Sequence, residues 1–318
     1  GGFVETSGKL RLNVRETAQV DAASLVDGYL YGSWLLDPSN VFLTNGGANS
    51  VPGGGGTVNP SSDDFYVDIG TLETALNGNN NVIITTANGG GTQDGNITVQ
   101  DAISWTGASS LTLDADNDIY VNNTIDSTNA AGDLILNAGG DGAGNIDITA
   151  PITLGGSFDA TATGGTITVN KEITAVGINF NNYVDFDDAD NDLDIDAGTG
   201  TISISSEGGI VTRNTDFLAD DFVIDGNITG PGYRRLDFFL NNAGRTFGLG
   251  DGASGDVVLS DAELARMDNA QYAFYSNGDM DIHNTVGPDA LSVFFYTPNG
   301  NALTIDQAGI DFGNANVF

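Results

Sequence analysis

Ile97-Thr98-Val99 sets an apolar, polar, apolar alternation on which the reading of the whole chain turns. It returns at Ile119-Tyr120-Val121, Ile146-Asp147-Ile148, Ile167-Thr168-Val169, Ile202-Ser203-Ile204, Val257-Val258-Leu259, Met280-Asp281-Ile282 and Leu303-Thr304-Ile305. Between these lie Leu111-Thr112-Leu113, Leu134-Ile135-Leu136, Ile152-Thr153-Leu154 and Leu193-Asp194-Ile195, set apart by Gly, Asn and Asp. Period-two alternation puts Ile97 and Val99 on one side of a strand and Thr98 on the other, so one side is the inside. The leading triplets recur at a solenoid-like period, with a long interval from Ile167 to Ile202 read as an insertion. Each repeat reads as one turn of a coil with a strand per face, bounded by turn formers. Such a turn cannot bury its own edges, and stacking on its neighbours is what stabilises it.

The expected fold is therefore all-β: a right-handed parallel β-helix (β-solenoid) with one or two short helical excursions, its hand set by the crossover rule. The whole chain, 1–318, reads as a single β-helix. Residues 1–44 form the first turns, 45–80 a loop and short helix excursion, 81–225 regular turns, and 226–318 aromatic-rich turns. The inward positions include Ile97, Val99, Leu111, Leu113, Ile119, Val121, Ile146, Ile148, Ile167, Val169, Ile202 and Ile204. Asn45 to Pro60 is rich in Gly, Asn and Pro and reads as a loop leaving the coil. Thr71 to Leu76 has helical spacing and is expected to cover the solenoid. Ser260 and Glu263 make a capping-box pattern that predicts a second short helix over 261–267.

Composition agrees with a turn-dense β protein: 45 of 318 residues are Gly and only two are Met. Against 43 acidic residues stand 9 basic ones, a formal charge of −34 that repels phosphate backbones and anionic lipid alike. Nucleic-acid binding and membrane insertion are disfavoured, and no apolar run approaches the ~20 residues that span a bilayer. Without cysteine there is neither disulfide nor thiolate metal site. The opening Gly1-Gly2, with no initiator Met, reads as an internal or processed piece of something longer.

The stretch Gly1-Gly2-Phe3-Val4-Glu5-Thr6-Ser7-Gly8, followed by Trp34-Leu35-Leu36-Asp37-Pro38, resembles the region just after the secretion domain in filamentous haemagglutinin-like adhesins. Asp68 to Thr86, Gly95 through Leu113, and Phe247-Gly248-Leu249-Gly250-Asp251 with Val258 to Leu264 are similar to further segments of the same adhesins. The resemblance implies a β-helical shaft exported by the two-partner route through an outer-membrane transporter, working outside the cell on a Gram-negative surface. The secretion domain of that family would lie before Gly1, and the chain has no Arg-Gly-Asp tripeptide.

Chemistry is sparse. The sole histidine, His283, follows Ile282 in the alternation and falls on the solvent face or a corner, leaving triads and His-based zinc sites without a second member. A polysaccharide-cleaving β-helix would need carboxylate pairs, or calcium with a basic residue. Its candidate bases are Lys171, Arg213, Arg234, Arg235 and Arg245, none within a motif. The pentapeptide Asp-Ala-Asp-Asn-Asp occurs twice, each time just before a strand. Its carboxylates, Asp114, Asp116 and Asp118 in one copy and Asp188, Asp190 and Asp192 in the other, are candidate calcium ligands, since that ion takes about 6 to 8 oxygens. The competing reading is a solvated acidic turn, and neither the EF-hand nor the β-roll spacing is met. Aromatic residues thicken toward the C-terminus, as a core of stacked rings or as an outward platform for sugars or a partner. Phe295, opposed in phase to Phe294 and Tyr296, is the expected exposed ring.

These features point to a structural or adhesive segment of a secreted bacterial surface fibre, not an enzyme, with attachment or matrix assembly as its work. Expected partners are neighbouring segments of a longer parent or identical subunits end to end, and a host, bacterial or glycan surface. A self-assembling extracellular filament subunit and a polysaccharide-cleaving enzyme are the alternatives.

Overall fold

The structure is a computed structural model that describes residues 2–7, 33–37, 40–45, 64–86, 93–140, 142–189, 193–231, 234–268, 270–283, 292–298, 300–305 and 316–317. Among these residues strands dominate, every pairing is parallel, and the fold is a parallel β-helix with two short helices. The chain divides into two compact units, Gly1–Ile167 and Thr168–Phe318.

In the first unit, three parallel sheets share the coils. The first sheet stacks Phe3–Ser7, Ser33–Asp37, Asn81–Thr85, Leu111–Ala115, Leu134–Ala138 and Phe158–Ala162. The second stacks Asp64–Asp68, Asn40–Thr44, Ile97–Val99, Ile119–Val121 and Ile146–Ile148. The third begins at Ile103–Trp105 and continues through Ile125–Ser127 and Ile152–Leu154. Register aligns like with like: Val41, Ile97, Ile119 and Ile146 form one inward row, and Leu43, Val99, Val121 and Ile148 the next. All eight side chains are fully buried. β-Branched residues suit this half-buried pleat, and strands spaced about 4.8 Å apart let each methyl touch its counterpart in the next coil.

A polar ladder links the coils at the corner that enters the second sheet. The residue directly before the first inward Val or Ile of each coil uses its side-chain oxygen to accept the backbone N–H of the equivalent residue one coil later. Asn40 Oδ1 accepts from Asn96 at 2.7 Å, Asn96 from Asp118 at 3.0 Å, Asp118 from Asn145 at 2.7 Å, and Asn145 from Thr166 at 3.0 Å. The corner before the first sheet repeats the device, with Asp133 Oδ1 accepting the Ser157 N–H at 2.7 Å.

Helix α1 (Ile69–Asn77) stands beside the edge of the third sheet. It starts earlier than the Thr71 to Leu76 span expected from spacing, because Asp68 caps it through the Thr71 N–H at 2.9 Å, and it ends one residue later, at Asn77. Its buried face is Ile69, Thr71, Leu72, Ala75 and Leu76. At its end Asn79 takes a left-handed conformation (φ 59°), which Asn tolerates better than most residues. The turn that receives α1 requires Gly107, since a Cβ there would lie 2.1 Å from the Leu76 carbonyl oxygen.

In the second unit, one sheet stacks Ile178–Phe180, Thr201–Ile204 and Asp221–Ile224, and another Val184–Phe186, Gly209–Val211, Ile228–Thr229 and Met267–Asp268. A third runs through Ile173–Thr174, Leu193–Asp196, Thr215–Ala219, Arg235–Leu240, Gln271–Tyr275, Ser292–Tyr296 and Asn316–Val317. A fourth contains Val257–Leu259, Phe247–Leu249, Met280–Ile282 and Leu303–Ile305. Two expectations change here. The interval from Ile167 to Ile202 holds ordinary strands in place of an insertion: Ile173–Thr174, Ile178–Phe180, Val184–Phe186 and Leu193–Asp196. The triplets led by Val257, Met280 and Leu303 form a small sheet of their own with Phe247–Leu249, whose Phe247 ring packs against Phe222 and Phe274.

Those rings make the core. Phe186, Phe217, Phe238 and Phe274 follow one another with centroids 5.2 to 5.7 Å apart, joined from the side by Phe222 and Phe247. Helix α2 (Asp261–Leu264) carries the capping box read from Ser260 and Glu263 but is shorter than 261–267. Met267 instead enters a strand and is fully buried. Of the expected loop, residues 46–60 lie outside the described residues, as do Asp190 and Asp192.

Candidate functional site

The outward side of the long sheet in the second unit carries the most distinctive surface. Register aligns Leu218, Phe239, Tyr275 and Tyr296 on that side. Phe239 stacks on Tyr275 at 4.1 Å and Tyr275 on Tyr296 at 4.4 Å, the latter planes only 4° apart. Phe295, the expected exposed ring, has the opposite phase and stacks inward on Phe274 at 6.1 Å, while Tyr296 is the exposed one. The alternation was right and its phase was reversed. Alternation cannot say which phase of Phe294-Phe295-Tyr296 is inside when all three rings are apolar.

Next to this row lies an ion pair. Arg235 Nε stands 2.6 Å from Asp237 Oδ1, and Asp237 is 1% exposed although its phase is outward. Burial holds the Asp237 carboxyl above the usual range despite the pull of Arg235. Burial likewise pushes the Tyr275 phenol up to about 12, with the Asp237 charge adding to it. At neutral pH the phenol is protonated, a donor and a flat ring edge. Because consecutive rings cover each other's faces, the row offers edges and hydroxyls along its length.

A second feature is an open cavity of about 420 Å³ bordered by Asp256, Asp279 and Asp281. Each carboxylate is engaged with backbone. Asp256 Oδ2 accepts from Thr246 N at 3.0 Å, Asp281 Oδ2 from Ser254 N at 2.7 Å, and Asp279 Oδ1 from Ala302 N at 2.8 Å.

The first Asp-Ala-Asp-Asn-Asp turn is not gathered around a point. Asp118 belongs to the corner ladder, where Oδ1 takes the Asn145 N–H and Oδ2 the Tyr120 hydroxyl at 2.9 Å. Asp114 is half-buried and its carboxyl is raised by loss of water. The Asp116 backbone N–H donates to Thr86 Oγ1 at 2.9 Å. Among the described residues no group of three or more His, Asp or Glu is placed to hold a metal ion. Of the second copy, Asp188 is buried and paired with Lys171 at 3.0 Å.

Of the basic side chains considered as catalytic bases, Lys171, Arg213, Arg235 and Arg245 face carboxylates. Arg213 faces Asp187 at 3.3 Å and Arg245 faces Asp220 at 3.8 Å. His283 is half-buried beside Gly252. What sequence reasoning missed is the ladder, although its signal was present: Asn40, Asn96, Asp118 and Asn145 each stand directly before an inward Val or Ile.

The chain matches no protein-family model, no curated protein and no solved structure.

Proposed function

We propose that this chain is a structural and adhesive segment of a secreted bacterial surface fibre. The observation that supports it is the coil-to-coil ladder. Polar side chains that a binding or catalytic site would keep free are bonded to the backbone one coil away, as Asn96, Asp118 and Asn145 show. Such bonds, repeated with in-register apolar rows, resist separation of coils, which is what a load-bearing shaft needs. The formal charge of −34 disfavours nucleic acid and anionic lipid as partners. Attachment would use exposed side chains such as Tyr296 against a host, bacterial or glycan surface. Beads coated with the chain should retain bacterial or host cells well above albumin-coated beads. Equal retention across a panel of cells and glycans removes the adhesive part of the reading.

A filament subunit is favoured by one edge. Leu303 and Ile305 continue the buried row of Met280 and Ile282 but are 43% and 50% exposed. An apolar strand edge in that state can accept a strand from another copy. Sedimentation velocity over a wide concentration range tests it: a single monomeric species throughout excludes the subunit reading.

A further inference from the structure

Among the described residues Ile103–Trp105 is the first strand of its sheet, and its outer edge meets side chains and not a strand. In a parallel ladder alternate N–H groups point to opposite neighbours. The Ile103 N–H goes forward to the Thr124 carbonyl, so those of Ser104 and Thr106 point the other way. Each meets an oxygen from the α1 segment. Glu73 Oε1 accepts the Ser104 N–H at 2.7 Å, Asn77 Oδ1 the Thr106 N–H at 2.8 Å, and Asn79 Oδ1 the Ala108 N–H at 2.8 Å. Asn81 Oδ1 continues the series to Ser110 at 3.0 Å. Donors two residues apart are matched by acceptors spaced four and then two apart, the change marking where helix gives way to turn. The apolar face of α1 fills the interior on the same side.

We propose that residues 69–81 form a seal on this edge, and that its function is to stop a second copy of the chain from adding a strand to Ile103–Trp105. A helix bonds its own backbone internally and offers an incoming strand no row of donors and acceptors. The excluded occupant is a second copy because the sheet pairs like with like. Ile103, Ile125 and Ile152 form one row, so this chain's own Ile125–Ser127 segment is the strand that best matches the edge. The seal is independent of the adhesive reading, and it concerns a different edge from that at Leu303.

The variant Glu73→Ala/Asn77→Ala/Asn79→Ala uncovers the Ser104, Thr106 and Ala108 amides. Sedimentation velocity should show it self-associating at least about tenfold more tightly than the parent. A variant that keeps its β spectrum and sediments as the parent does overturns the proposal. If the triple variant fails to fold, Glu73→Ala alone is titrated with a fluorescent peptide of residues 122–129. Binding to the variant and not to the parent supports the seal, and equal binding or none overturns it.

Discussion

Asp118 Oδ1 accepts the backbone N–H of Asn145, one coil further along the chain, at 2.7 Å. The ladder before and after it is made of Asn96 and Asn145, so the position needs an acceptor and not a charge. Asp118→Asn should leave stability nearly unchanged. Asp118→Ala removes the acceptor of an exposed N–H that water can then satisfy, so it should cost only about the net value of one hydrogen bond, about 0.5–1.5 kcal/mol. Urea unfolding of the pair measures both, and an equal loss in the two variants would show that the charge matters.

Because Asp114, Asp116 and Asp118 do not converge, the first acidic turn should give no specific response to calcium. Asp116→Asn is expected to leave the change in Tm on adding millimolar calcium, read against sodium at equal ionic strength, as it is in the parent. Loss of a calcium-specific gain in this variant would mean that the turn closes around the ion.

Asp114 is raised above its ordinary value of 3.8 by burial alone. The folded state therefore holds the proton more tightly than the unfolded chain. This group's contribution to stability is fully present below pH 3.8 and is lost as the pH rises through the folded value. Asp114→Asn should be more stable than the parent at neutral pH, with the advantage fading as the pH falls. A difference independent of pH would contradict the assignment.

Gly107→Ala places a methyl against the Leu76 carbonyl and the Asn77 backbone, neither of which is a flexible side-chain end. Overpacking of this kind costs about 1–3 kcal/mol. A denaturant midpoint equal to that of the parent would show that α1 does not sit so close.

The alternation at Ile97-Thr98-Val99 was sufficient to place its own inward residues, because a pleated strand has only two faces and one had to be dry. The Ser260 and Glu263 cap and the amphipathic Thr71 to Leu76 stretch were equally legible, being local patterns with local causes. What the sequence could not say was which sheet each triplet joins. Val184-Asp185-Phe186 and Val257-Val258-Leu259 read alike, yet they belong to different sheets, since coil length varies and pairing depends on register with a strand dozens of residues away. The same cause hid the fate of Asp118, which in sequence sits among carboxylates and in the fold spends its oxygens on Asn145 and Tyr120. It also reversed Phe295, whose direction is fixed by Phe274 across the sheet and by nothing in its own neighbourhood. Period and polarity are properties of one strand, while the partner of a side chain is a property of two strands brought side by side, and only the tertiary structure supplies the second.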